Sequence, residues 1–375
     1  MSAPDAVVLT RELVRYQTVN PPGAERDCAR YAGKLLEEWG FTVRYHEYAE
    51  GRTSVIGRAG GSDTKPPLCL TGHLDVVPLG ARAWSKDPFA GETDGDRLYG
   101  RGTSDMKAGV AAMLAAARAF AGKLTGTPGL VLVLTAGEEG GCIGSEHLAS
   151  LPDLMGKAGA IVVGEPTSNY PLVGHKGSLK FYARFRGVSA HGSMPHLGVN
   201  AVYKAARAVA KLEGFDFGVA PHPVMGAPTL NVGTFEGGAG VNLVPDAATI
   251  GVDIRTVPGM DHAALLARLK ALMGEEAELD VFSDLSAVWT EPEKDWVRRV
   301  FEICRPVLGE APEPRTAPYM TDAANLLKVY RGAPAIVLGP GEAAMAHQTD
   351  EYCSTERIRQ AVALYEAIIR DWCAA

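Results

Sequence analysis

The spacing of apolar residues changes period along the chain. Over residues 5–19, Val8, Leu9, Leu13 and Val14 recur at helical spacing, and residues 25–39 repeat the pattern, so two amphipathic helices are expected, separated by Pro21-Pro22-Gly23. Residues 41–48 alternate as a strand, with 54–57 as its partner. Four short continuous apolar runs follow, at 68–70, 130–134, 160–163 and 335–338. Strands covered on both faces read this way, because helices pack above and below a mostly parallel sheet. Helical segments between them, such as 106–120 with Val110, Met113, Leu114 and Ala117 on one side, supply the layers. An α/β core is expected.

From residue 178 the period becomes two. Leu179, Phe181, Ala183 and Phe185 alternate with Lys180, Tyr182, Arg184 and Arg186, and Ala248, Ile250, Val252 and Ile254 alternate in the same way. Alternation means one buried and one wet face, the mark of an antiparallel sheet. Helices at 199–212 and 261–273 would cover it, giving an inserted α+β domain over 179–288. Segments at 292–307, 322–329, 335–338 and 354–372 then return to a discontinuous first domain, 1–178 with 289–375. A length of 375 residues suits two domains.

Composition removes several function classes. A net charge of -7 and no basic cluster argue against a nucleic-acid partner. No segment approaches the ~18 consecutive apolar residues of a membrane span. The start, M-S-A-P-D-A-V-V-L-T, lacks the basic and apolar regions of a signal peptide. Cys28, Cys69, Cys142, Cys304, Cys353 and Cys373 lie far apart, several in apolar runs, which fits buried thiols in a reducing cytoplasm.

Chemistry gathers where the apolar runs end. After the first come His73 and Asp75; after the second, Glu138 and Glu139; after the third, Glu165; after the fourth, His347. Asp105 stands where the helix at 106–120 begins. Singly, each is an ordinary strand-end, cap or loop residue. Open α/β sheets, however, bind ligands beyond the carboxyl ends of their strands, so these side chains should meet in one crevice. His73, Asp105, Glu139, Glu165 and His347 carry too many anionic ligands for one tetrahedral zinc, but suit two ions sharing a carboxylate. Asp105 is the expected bridge, Asp75 the partner that orients His73, and Glu138 is left free as general base.

The insert carries three further candidates. His191 lies in A-H-G-S-M-P-H, Asn242 in a glycine-rich loop, and Arg255 ends a strand at D-I-R. His and Asn can stabilise an oxyanion, and Arg can clamp a carboxylate. His175 and His196 read as structural.

Taken in order, T-G-H-L-D-V-V-P, Y-G-R-G-T-S-D-M-K-A-G, the E-E pair, V-G-E-P-T, G-V-S-A-H-G-S-M-P and A-H-Q-T-D-E-Y resemble the co-catalytic zinc hydrolases. That family includes acetylornithine deacetylase, succinyl-diaminopimelate desuccinylase, aminoacylase and glutamate carboxypeptidase, and the resemblance covers nearly the whole chain. It implies a zinc-peptidase-like fold and two Zn2+, with Co2+ or Mn2+ as substitutes, on His73, Asp105, Glu139, Glu165 and His347. It also implies a cis peptide after Asp105, a lid and dimerisation role for the insert, and a homodimer in which His191 reaches the partner's active site. G-E-P-T with H-K-G, D-I-R-T-V-P-G-M and L-G-P-G are most similar to the deacetylases. Two departures stand out. Gly137 replaces a frequent Asp before the glutamate pair, and Y-M-T-D-A-A-N-L at 319–326 replaces the desuccinylase pattern.

The expected activity is hydrolysis of a small N-acyl amino acid or dipeptide in the cytoplasm. Glu138 takes a proton from the attacking water and returns it to the amine, His191 steadies the oxyanion, and Arg255 and Asn242 hold the substrate. A metallo-exopeptidase is the alternative with the same chemistry, and a catalytically silent metal-binding or scaffolding relative is the alternative from another class.

Overall fold

A computed structural model describes residues 5–62 and 64–374. The first four residues of the N-terminal stretch judged unlike a signal peptide lie outside them. The chain separates into two compact units, one of 1–174, 289–317 and 321–375, the other of 175–288 with 318–320.

The first unit is built on a six-stranded sheet ordered Thr42–Ala49, Arg52–Ala59, Leu130–Thr135, Leu68–His73, Ala160–Val163, Ala335–Val337. The last four strands run parallel to one another, while the first two join through antiparallel ladders. The apolar runs occupy the parallel half. Every residue of Leu68–His73 and Leu130–Thr135 is buried, as two-faced cover requires. At the antiparallel end, Thr42–Ala49 is the exposed edge strand, with no residue buried, and Arg52–Ala59 beside it is buried from Thr53 to Gly57.

Helices Arg26–Glu38, Ala108–Ala119 and Thr355–Cys373 pack on this sheet, and Ala6–Val14 packs on Ala108–Ala119. The second opening helix matches the expected 25–39 within one residue, whereas the first stops at Val14, five residues short of the expected 19; Asp5 caps it by accepting from the Val7 N–H. Ala108–Ala119 differs from the one-sided helix read from the sequence. Its residues Ala108 to Ala117 are all buried, because alanine on every side lets it pack between strands and two further helices.

The second unit has a four-stranded antiparallel sheet ordered Thr229–Gly237, Ala247–Thr256, Gly177–Arg186, Glu278–Leu285. Leu179, Phe181, Ala183, Phe185, Ala248, Ile250, Val252 and Ile254 face a core with helices Ala201–Leu212 and His262–Met273. Asn200 and Asp261 cap those helices. On the wet face, Arg184–Asp280 and Arg186–Glu278 pair across strands at 2.7 and 2.8 Å. The two outer strands escape sequence reading because almost none of their residues is buried, and glycine and polar residues break their alternation.

Close approach of helix to sheet makes one position sensitive. A Cβ on Gly109 would lie 2.2 Å from the Gly164 carbonyl oxygen, and backbone cannot yield as a side chain can. Alanine would gain about 1 kcal/mol of helix propensity, but overpacking costs roughly 1–3 kcal/mol. Gly109→Ala is therefore expected to lower the midpoint of urea unfolding with little change in slope.

Candidate active site and metal centre

The four parallel strands deliver their carboxyl ends to one edge, and the charged side chains gather there. His73 closes its strand; Glu138 and Glu139 follow Leu130–Thr135, Glu165 follows Ala160–Val163, and His347 lies in the loop after Ala335–Val337. Asp105 lies 3.1 Å from His73 Nε2 through Oδ1 and 3.2 Å from His347 Nε2 through Oδ2. Glu165 Oε1 is 3.7 Å from His73 Nε2, and Glu139 Oε2 is 3.2 Å from His347 Nε2. Asp105 thus divides the set into His73 with Glu165 and His347 with Glu139. Ligand-type atoms of His73, Asp105 and Glu139 fall within 4.8 Å of one another, as do those of His73, Glu138 and Glu165.

Two expectations about the supporting residues are corrected. Asp75 does not orient His73 through its carboxylate, which stays 3.7 Å from Nδ1; the Asp75 carbonyl does so, at 2.9 Å. A carbonyl only accepts, so Nδ1 carries hydrogen and Nε2 faces Asp105. The Asp75 carboxylate accepts instead from the N–H groups of Glu138 and Glu139, both at 3.1 Å, and from Asn20 Nδ2 at 2.8 Å. Asp105, in turn, does not open a helix. The regular helix begins at Ala108, and Asp105 has φ -122 and ψ 90, followed by the cis peptide to Met106.

What holds Asp105 is Glu351, which sequence reading passed over. This buried carboxylate accepts from the N–H groups of Gly102, Ser104 and Asp105 at 2.9, 2.8 and 3.0 Å, and from Arg101 Nη1 at 2.6 Å. It lies inside the quoted A-H-Q-T-D-E-Y, where attention fell on His347. Asp322, in the stretch that departs from the desuccinylases, is also buried and accepts from Thr135 Oγ1. Its signal was a carboxylate flanked by small and apolar residues.

Charge in the crevice is unbalanced. Burial pushes the carboxyls of Glu138, Glu139 and Glu165 upward, their mutual repulsion adds to it, and the histidines only partly offset both. Burial also works against Asp105, but hydrogen bonds from His347 and His73 hold it below the usual range. Hydrogen bonds to Asp105 and Glu139 lift His347 to about 10. Glu139 Oε1 is buried with no hydrogen-bond partner among the described residues. A donor set of imidazoles and carboxylates with surplus negative charge and an orphaned oxygen fits divalent cations.

The second unit joins two of its three candidates. Gly192 N–H donates to the Asn242 carbonyl at 2.8 Å, and His191 bridges to Leu243, so the His191 and Asn242 loops run side by side. Ser193 N–H donates to His191 Nδ1 at 3.2 Å, which puts the imidazole hydrogen of the neutral ring on Nε2. Arg255 stands apart from them, held by Asp253 at 2.9 and 3.0 Å. His175 is buried, and burial pulls it down to about 4.

Residues 69–371 match the model of peptidase family M20/M25/M40. The chain belongs to this family. An M20 member is a metal-dependent hydrolase of amide bonds, which accords with the donor set. The acetylornithine deacetylase of Myxococcus xanthus is 31% identical over 365 residues, 92% of this chain and 91% of that one. The succinyl-diaminopimelate desuccinylase of Cereibacter sphaeroides is 32% identical over 388 residues, 98% of this chain and 99% of that one. An M20 metallo-carboxypeptidase from Sulfolobus solfataricus shares the fold with a TM-score of 0.81 and 19% identity, covering 99% of this chain and 100% of that one. A dinuclear metal-binding M20 peptidase from Bacillus subtilis does so with a TM-score of 0.72 and 15% identity, covering 98% and 97%. Among the described residues no helix is long and apolar enough to cross a membrane.

Glu351 anchors the loop of this M20 site through a fully buried ion pair. Removing one partner of such a pair costs about 3–5 kcal/mol. Glu351→Ala is expected to lose that much in denaturant unfolding of the metal-free protein, whereas Glu12→Ala, in an exposed pair with Arg15, should change little.

Proposed function

We propose that the protein is a di-zinc deacylase that releases the acyl group of a small N-acyl amino acid, acetylated diamino acids being the first candidates. The observation that carries this is Asp105, one oxygen against each histidine, between His73 with Glu165 and His347 with Glu139. That division suits two cations sharing one carboxylate. The full-length likeness to curated deacylases supports the substrate class, and because deacetylases and desuccinylases match at similar identity, the acyl group is decided by assay.

His73, Asp105, Glu139, Glu165 and His347 would hold the metal. When bound, the cations supply electrophilic polarisation of the acyl carbonyl and make an attacking water more acidic. Glu138, with backbone fixed by Asp75 and outside the two histidine–carboxylate pairs that Asp105 joins, takes the proton from that water and passes it to the departing amine. Burial raises its carboxyl above the usual range, and its ionised form, needed for the first step, is lost as pH falls. His191 offers Nε2–H to the developing oxyanion, Asn242 lies beside it, and Arg255, braced by Asp253, receives the substrate carboxylate. In this reading the 179–288 insert is a lid, and the protein is a cytoplasmic homodimer whose His191 serves the partner's site.

Amine release from N-acetyl, N-succinyl and N-formyl amino acids and dipeptides, zinc-loaded against chelated, tests the substrate class. Chelator-sensitive release from an N-acyl amino acid is expected, and cleavage of dipeptides alone would make the enzyme an exopeptidase. Glu138→Ala is expected to lower kcat by at least about 100-fold while retaining zinc by metal analysis; full turnover in the loaded variant would remove Glu138 from its role. Mixing His191→Ala with Glu138→Ala should restore part of the activity, and no recovery despite demonstrated subunit exchange would refute action across the dimer.

A further inference from the structure

The loop that carries Glu138 closes on Cys142. The N–H groups of Gly141 and Cys142 both donate to the Glu138 carbonyl, at 2.8 and 2.7 Å, and Ile143 N–H donates to the Gly137 carbonyl at 3.0 Å. These bonds fold 137–143 into one tight turn ahead of helix Ile143–Ala149. Within it Cys142 has φ 61 and ψ 31, the left-handed region that glycine enters freely and a residue with a Cβ enters at a cost. Glycine occupies both preceding positions, Gly140 and Gly141. Position 142 keeps a side chain where the backbone favours none, so an interaction of that side chain must repay the difference.

The interaction is in place. Asn325 Nδ2 and Ser145 Oγ donate to the Cys142 carbonyl at 3.1 and 3.0 Å, which fixes the peptide plane. The thiol then lies 3.4 Å from Glu138 Oε1, with Cys142 only 1% exposed. Burial pushes this thiol well above its ordinary range, and the neighbouring Glu138 and Asp322 carboxylates push the same way, so it is present as S–H. A protonated thiol beside a carboxylate can only donate. Cys142 belongs to neither of the groups able to hold a metal.

A carboxylate that carries protons works best when one oxygen is tied back and the other aimed at the reaction, because a freely turning group spends much of its time misdirected. We propose that Cys142 is a positioning residue for proton transfer: its thiol donates to Glu138 Oε1, fixes the carboxylate plane, and leaves Oε2 as the oxygen that exchanges the proton. The role rests on Glu138 acting as the base. The contact itself, Cys142 Sγ to Glu138 Oε1, lies wholly within the turn.

Cys142→Ala and Cys142→Ser separate donation from packing, since both keep a Cβ in the same backbone region and only serine keeps a donor. Cys142→Ala is expected to lower kcat roughly tenfold, about the worth of one hydrogen bond to a charged group, with KM, zinc content and Tm close to the parent. Cys142→Ser should recover most of the loss. No loss in alanine, or equal losses in both variants, overturns the proposal. Combined with Glu138→Ala, the Cys142→Ala change should have no further effect; a persisting tenfold loss means the thiol acts elsewhere. Full turnover in Glu138→Ala alone would instead sink the base assignment, and this proposal with it. The infrared S–H stretch, isolated as parent minus Cys142→Ser, supplies a measurement independent of activity. It should lie at hydrogen-bonded frequency and move upward in Glu138→Ala, and an unmoved band refutes the contact even where Cys142→Ala folds poorly.

Discussion

Everything at this site follows from the cost of gathering negative charge where water is scarce. Asp105, Glu138, Glu139 and Glu165 meet around two imidazoles, and desolvation works against all four carboxyls and leaves three of them raised. Two histidines cannot neutralise four acids. An unpaired buried charge costs several kcal/mol even after relaxation, so the arrangement persists only because a stiff scaffold enforces it. The parallel strands provide that scaffold by setting their carboxyl ends side by side at a fixed spacing.

Acidic residues here divide into two kinds, and hydrogen bonding tells them apart. Asp75, Glu351 and Glu25 are buried and accept from loop N–H groups: Asp75 from Glu138 and Glu139, Glu351 from three residues up to Asp105, and Glu25 from Gly137. Arg52 and Arg101 pair with two of them, at 2.8 and 2.6 Å. These acids are anchors whose charge is spent on backbone. Among the described residues Glu139 and Glu165 accept from no such backbone donors, and one oxygen of Glu139 has no hydrogen-bond partner there. Their capacity is left for cations. The replacement of a frequent Asp by Gly137 also finds a place in this pattern. Gly137 has φ 74, and a Cβ there would lie 2.3 Å from the Tyr48 hydroxyl, so an aromatic ring and the Arg52–Glu25 pair fill the space a side chain would take.

Much of this was readable in the letters because it is local. The apolar runs named the parallel strands, since burial on both faces leaves no polar positions to confuse the period. The residues after those runs named the crevice, because chain direction fixes which strand end each residue follows. Less was readable wherever one atom of a residue does the work of another. Asp75 was expected behind His73 through its carboxylate, yet the carbonyl takes that place; both lie within two residues of the ring, and spacing cannot distinguish them. Glu351 was missed because its partners at 101–105 are some 246–250 positions away in sequence.

The sequence by itself determined the period of each segment, the class of its chemistry and the order in which ligand-type residues appear, because these depend on near neighbours and on the alternation of apolar and polar side chains. Tertiary structure alone decided the rest. It set Asp105 between the two histidines, turned the Asp75 carboxylate onto the glutamate loop, folded Cys142 back onto Glu138 and buried Glu351 against Arg101. Those are contacts between distant segments or between particular atoms of one residue, and only packing in three dimensions selects among the alternatives that the letters leave equal.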